Sequence, residues 1–197
     1  MKLFKNLTIR KLTKKLKALK KYREHNQVND ETLQKEVTLY LKLAEVYLAL
    51  QHHKKHPFAF VAYKECLRAA AGLDDAKAQY DLGRLLLDEA IYRDELENQE
   101  LLANIYNQRQ RDNYFEEALV CFKSAEKLGY FLAKRWHGLA YINGWGVEID
   151  KEKGFEMVVA SIDEENSWDK VPQIFADIGL NKPEFFAALG KHRVKRS

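Results

Sequence analysis

Two stretches of this chain, 55 residues apart, place small residues at the same intervals. Ala70 to Gly83 reads AAGLDDAKAQYDLG, and Ala125 to Gly138 reads AEKLGYFLAKRWHG. Ala70 matches Ala125, Ala78 matches Ala133 and Gly83 matches Gly138, while Leu86 falls on Tyr141. Small residues at such spacings let one helix lie close against the next. The same offset carries Cys66 onto Cys121 and Leu67 onto Phe122 just upstream. A chain built this way repeats one helix–turn–helix unit, so it stacks units rather than winding a sheet.

Punctuation agrees with that reading. The chain has 9 Gly and 3 Pro, none between Arg84 and Leu128, which long helices tolerate and turn-rich sheets do not. Hydrophobic residues at 46% and charged residues at 31% allow a real core and argue against global disorder. Periodicity and caps place helices near 9–23, 33–51, 58–72, 75–92, 95–109, 114–128, 131–143, 150–163, 170–178 and 183–189. Leu39, Leu43, Val46 and Leu50 form one apolar stripe, and Leu119, Phe122, Ala125 and Leu128 form another. Asp112 or Asn113 is expected to cap a helix opening at Tyr114. Asn181–Pro183 reads as a start, and Gly179 and Gly190 read as stops.

The residues of the later unit resemble a known family. Gly138, Tyr141, Gly144, Gly146, Val147, Asp150 and Lys153 follow L-G-x-x-Y-x-x-G-x-G-V-x-x-D-x-x-K, with His137 in place of the leading Leu. Together with A-x-A-Q-Y-x-L-G at Ala76–Gly83, this resembles the Sel-one-like branch of the tetratricopeptide superfamily over roughly residues 60–160. Asp74 stands where the family has Gly, and Gly154 where its second helix has Ala. The family's aromatic pair before Ala-Ala is here Cys-Leu or Cys-Phe. The resemblance implies an all-α, right-handed helical-repeat solenoid (an α-α superhelix) with extra terminal helices. It further implies a protein-binding adaptor with no active site and no cofactor.

Tetratricopeptide units run about 34 residues, so a separation of 55 implies an insertion of roughly 20. It falls between Asp88 and Asp112, and we read it as a lengthened first helix or an extra helix. Such insertions often map to a binding face. The expected organisation is a basic amphipathic helix and linker over 1–30, a repeat domain over 31–190 and a basic tail over 191–197.

Charge is unevenly spread. Residues 1–23 hold ten Lys/Arg and no acid, and the last seven residues add four more. Setting those fourteen aside from the net +4 leaves −10 over 24–190. On the amino-terminal helix Ile9, Leu12, Leu16 and Leu19 line one face, surrounded by Lys11, Lys14, Lys15 and Lys17. That helix can cap the solenoid, lie on an anionic membrane or acidic protein, or contact nucleic acid. Little aromatic interleaving argues against nucleic acid.

No apolar run reaches the length of a membrane span, and no apolar h-region follows the basic start. Two cysteines without metal or redox spacing fit a reducing cytosol. The expected location is the cytoplasm, with the inner face of a membrane as the alternative.

Candidate chemistry is sparse. Gly144-Trp145-Gly146 lacks the third glycine and preceding strand of a nucleotide loop and reads as a structural turn. His52, His53 and His56 sit among lysines before Pro57, which reads as a solvated connection rather than a metal site. Cys66 and Cys121 read as packing thiols, and no Ser–His–Asp order or paired carboxylates stand out. The chain is therefore expected to be no enzyme.

One feature points to a partner site. Lys77, Asp81, Arg84 and Asp88 form a polar line along one helix, and the positions 55 later are Leu132, Trp136, Leu139 and Asn143. The apolar line is either covered by neighbouring helices or is a contact for a partner's helix, bordered by Lys134 and Arg135. The expected partner is another protein, offering a helical or extended segment.

Overall fold

The computed structural model describes residues 2–26 and 29–194. In chain order the helices are α1 (Lys2–His25), α2 (Asp30–Leu48), α3 (Ala59–Ala71), α4 (Ala76–Asn98), α5 (Ile105–Lys127), α6 (Phe131–Asn143), α7 (Lys151–Glu165), α8 (Val171–Asp177) and α9 (Pro183–Val194). A 3-10 turn over Trp168–Lys170 precedes α8, and no strand occurs among the described residues. The basic tail expected over 191–197 begins inside α9, and its last three residues lie outside the described residues.

Four helices open on the same device. The side chains of Asn29, Asp75, Asn104 and Asp150 accept hydrogen bonds from the backbone N–H three residues on, at 2.9, 2.7, 3.0 and 3.0 Å. Each satisfies a donor that the first turn would otherwise leave open. α8 ends at Asp177, just before the left-handed Gly179, and α9 opens at Pro183, as the start and stop residues suggest. Gly190 is no stop, because α9 runs through it to Val194.

The closest pairings are α4 with α5, α6 with α7, and α2 with α3. The repeat has a physical counterpart in the first two. A methyl added to Gly83 would stand 2.8 Å from the Phe122 ring and 3.1 Å from Cys121 Cβ, so α4 meets α5 there. One added to Gly138 would stand 2.5 Å from the Gly154 carbonyl, so α6 meets α7 at the equivalent place. The turns before α4 and α6 match as well. Asp74 (φ 58°) and Gly129 (φ 82°), again 55 apart, both take the left-handed conformation that joins the two helices. Asp74 takes the backbone conformation that Gly129 has at the matched position.

The insertion is neither a loop nor an extra helix. α4 has 23 residues against 13 in α6, and α5 has 23 against 15 in α7. Both arms of one hairpin are therefore lengthened, by roughly 15 Å on the α4 side. The break expected near Asp112 and Asn113 does not occur. Asn104 caps α5 instead, and Arg111 draws Asp112 into an ion pair at 2.9 Å on the side of a continuous helix.

Buried apolar side chains form two clusters. The first joins α1 to α5 through Leu16, Val37, Leu67, Leu86 and Phe122. The second joins α6 to α9 through Leu139, Ile142, Val158, Phe175 and Leu189. Trp136 and Trp145 pack against both.

Candidate partner-binding surface

The proposed contact at Leu132, Trp136 and Leu139 is not a free apolar face. Leu139 is 0% exposed and belongs to the second core cluster. Trp136 lies between two neighbours. The Arg84 guanidinium sits 3.3 Å above its ring centroid, and Phe122 stacks at 6.4 Å. Arg84 belongs to the polar line of α4, and Trp136 to the equivalent apolar line of α6. Arg84 of the polar line thus covers Trp136 of the apolar line, and the cation–π contact stands where a partner's helix was expected. Leu132 is half-buried at the start of the same helix.

The bordering cations are internal ties. Arg135 is buried, donating to Ser161 Oγ at 3.2 Å and to Glu165 Oε2 at 2.6 Å, while Lys134 pairs with Glu164. Burial pushes the Glu165 carboxyl up, but hydrogen bonds from Arg135 and Ser167 reverse that and hold it below its usual range. These contacts clamp α6 to α7.

His137 is a second tie. Its Nδ1 lies 2.7 Å from Glu126 Oε2, its ring meets Tyr141 at 5.3 Å, and Nε2 is buried without a hydrogen-bond partner. Burial lowers its pKa below the ordinary 6.5, and Glu126 offsets this only in part.

The remaining sites of sequence interest are quiet. His53 and His56 contact edge-to-face at 5.5 Å, and the Lys55 N–H donates to His53 Nδ1. Among the described residues no group of three His, Cys, Asp or Glu is placed to hold a metal ion. Burial pushes the Cys66 thiol up to about 11 and the Cys121 thiol to about 12, so both stay protonated at neutral pH. Gly144 and Gly146 have φ 76° and 68°, and a methyl at Gly146 would meet the Phe115 backbone at 2.8 Å. That turn is pressed onto α5, with Trp145 stacked on Phe115 at 6.2 Å.

Lys11, Lys14, Lys15 and Lys17 are all exposed, as the helical spacing requires. Behind them Leu16 is buried, with Ile9, Leu12 and Leu19 partly so. Lys5 Nζ donates to the Ala49 carbonyl at 3.1 Å and Arg23 pairs with buried Glu36 at 3.1 Å, so α1 runs antiparallel along α2. The helix covers the end of the core with its apolar stripe and keeps its cations in water. No helix among the described residues is long and apolar enough to cross a membrane.

Two exposed apolar features lie elsewhere, the first in the insertion whose sequence already points to a binding face and the second not legible in advance. One is the tip of the long hairpin, where Leu101 is 65% and Tyr106 is 79% exposed beside Leu102 and Ile105. The other is an open groove of about 670 Å³ between α1 and α2. Sequence spacing shows each helix's own stripe but not the register of two helices. Compared with known proteins, the chain matches no family model and no curated sequence.

Proposed function

We propose that this chain is a non-catalytic adaptor or assembly subunit, a Sel-one-like right-handed solenoid whose surface holds a helical or extended segment of another protein. The observation that carries the reading is the matched pair of helix crossings. Gly83 against Phe122 and Gly138 against Gly154 recur at one period, with Asp74 and Gly129 at matched turns. Stacked hairpins present long inter-helix surfaces, and such surfaces suit extended partners better than small substrates. The test is recovery of a stoichiometric protein partner from the native host under gentle salt, identified by mass spectrometry. A chain that returns alone from chemically cross-linked cells removes the adaptor reading.

A second reading has its own support. The exposed Lys11, Lys14, Lys15 and Lys17, on a helix with no acid before Glu24, suit attachment to an anionic membrane or to nucleic acid. Recovery of lipid or nucleic acid with a steep salt dependence would favour it, placing the protein at the inner face of a membrane or on a polynucleotide. Protein recovery that survives salt favours the adaptor.

A further inference from the structure

From the groove between α1 and α2 we infer the partner's chemistry: it takes an acidic amphipathic helix of another protein. This rests on the adaptor reading and specifies which surface does the holding.

Each wall of the groove is one helical stripe. Lys15, Ala18, Leu19 and Tyr22 follow i, i+3, i+4, i+7 on α1, and Gln34, Lys35, Thr38 and Leu39 follow i, i+1, i+4, i+5 on α2. Ala18 and Thr38 are short and exposed, and the trough between the two helices is lined mainly by carbon. A straight trough between antiparallel helices is the shape into which a third helix lays its ridge of side chains. A bilayer surface is flat on this scale and would touch only the rims, leaving the trough unfilled.

Charge selects the ligand. Lys15 lies in the α1 wall, and Lys11 is exposed one turn along the same helix. Lys35 is already paired with Glu31 at 2.6 Å, so the α2 wall is locally neutral. The occupant must bring carboxylates to the α1 rim, since no residue of α1 before Glu24 supplies one. A second copy docking groove to groove could bring to that rim only its own lysine-rich α1 or its α2 wall, whose Glu31 is already paired with Lys35, so it supplies no free carboxylate for Lys11 and Lys15. The partner helix therefore carries leucine-like residues at i, i+3/i+4 and i+7 toward the trough, and Asp or Glu along the edge facing Lys11 and Lys15.

The test uses the full chain and labelled peptides of roughly 15 residues, long enough to form a helix. One peptide has a leucine stripe with glutamates elsewhere, a second has serine for each leucine, and a third has lysine for each glutamate. Vesicles of phosphatidylcholine with phosphatidylserine serve as the lipid probe. The first peptide is expected to bind at least tenfold tighter than either of the others. Ala18→Glu with Thr38→Glu, both at exposed positions, should weaken it by about tenfold or more at unchanged melting temperature. Lys11→Glu with Lys15→Glu should do the same. Equal binding of the serine peptide overturns the inference in favour of bare charge attraction. Vesicle binding without peptide binding overturns it in favour of a lipid surface. Peptide binding that ignores Ala18→Glu with Thr38→Glu places the contact elsewhere and also sinks it. The two readings separate in the host. A partner recovered equally well by wild type and by Ala18→Glu/Thr38→Glu removes the groove and keeps the adaptor, whereas no partner with either removes both.

Discussion

Gly138 and Gly154 face each other where α6 crosses α7, close enough that a methyl on Gly138 would stand 2.5 Å from the Gly154 carbonyl oxygen. Backbone, unlike the end of a side chain, cannot swing aside. Gly138→Ala must therefore push the helices apart, costing about 3 kcal/mol as severe overpacking does. Gly190, also helical, has nothing within 4 Å of an added methyl. There Gly190→Ala should gain about 0.5–1 kcal/mol from helix propensity alone. Thermal melts of the two variants should move in opposite directions. Equal shifts would sink the proposed crossing.

Trp136→Ala should behave as a core truncation. The ring joins two clusters and carries the Arg84 guanidinium on its face, so its loss leaves a void and removes the surface that the guanidinium covers. The expected cost is about 3 kcal/mol, at the low end for tryptophan because the side chain is partly exposed. Denaturant unfolding measures it. A loss below about 1 kcal/mol would return the residue to the surface.

His137 ties stability to pH. Its folded pKa lies below the ordinary 6.5, so in the window beneath that value the unfolded chain binds more protons than the native one. This contribution is complete above pH 6.5, falls as pH drops through it, and levels off once the folded imidazole also titrates. The groups facing the ring are Glu126 and Lys123 from α5, Tyr141 from α6 and Lys153 from α7. His137→Leu, which places there the residue that Leu82 supplies in the earlier unit, should flatten the stability profile just below pH 6.5. An unchanged slope would show that another group titrates.

How much of this could be read in the letters varies by element. The sequence places α6 at 131–143, its observed bounds, because Gly144 closes it and the small residues beside Gly138 mark its packing face. The exposed lysines of α1 follow from their spacing around Ile9, Leu12 and Leu16. The sequence divides α5 in two because Asp112–Asn113 resembles a cap. What keeps it whole is Arg111, held by Asp94 at 3.1 Å and Glu97 at 2.7 Å on the other arm, a pairing that no spacing within α5 reveals. Trp136 is visible in the sequence as an apolar replacement in a polar line. Equal position in two repeats did not mean equal exposure, because Arg84 of one unit lies over the next.

The extended part of the α4–α5 hairpin is joined by polar contacts rather than core. Buried Asn107 accepts from Arg93 Nη1 at 3.0 Å and donates to the Arg93 carbonyl at 3.1 Å, and Gln108 donates to Glu97 at 2.6 Å. Asn107→Leu should remove both bonds and take this acceptor from the Arg93 guanidinium, at about 1–3 kcal/mol. The damage should stay local. Hydrogen exchange is expected to speed up over residues 93–111 with protection of α6 and α7 unchanged, and a global loss of protection would show that the extension is part of the main core.

Because α4 and α5 are both long, the hairpin projects without disturbing the crossing at its base. Gly83, Phe122 and the turns at Asp74 and Gly129 keep their places at its base, whatever stands above them. Seven residues make nearly two helical turns, so matched removals of seven from each arm return every face to almost the same bearing. Arm length is thus a parameter that can vary independently of the stacking below it, and the tip with Leu101 and Tyr106 can be carried nearer or farther without the rest of the fold being rebuilt.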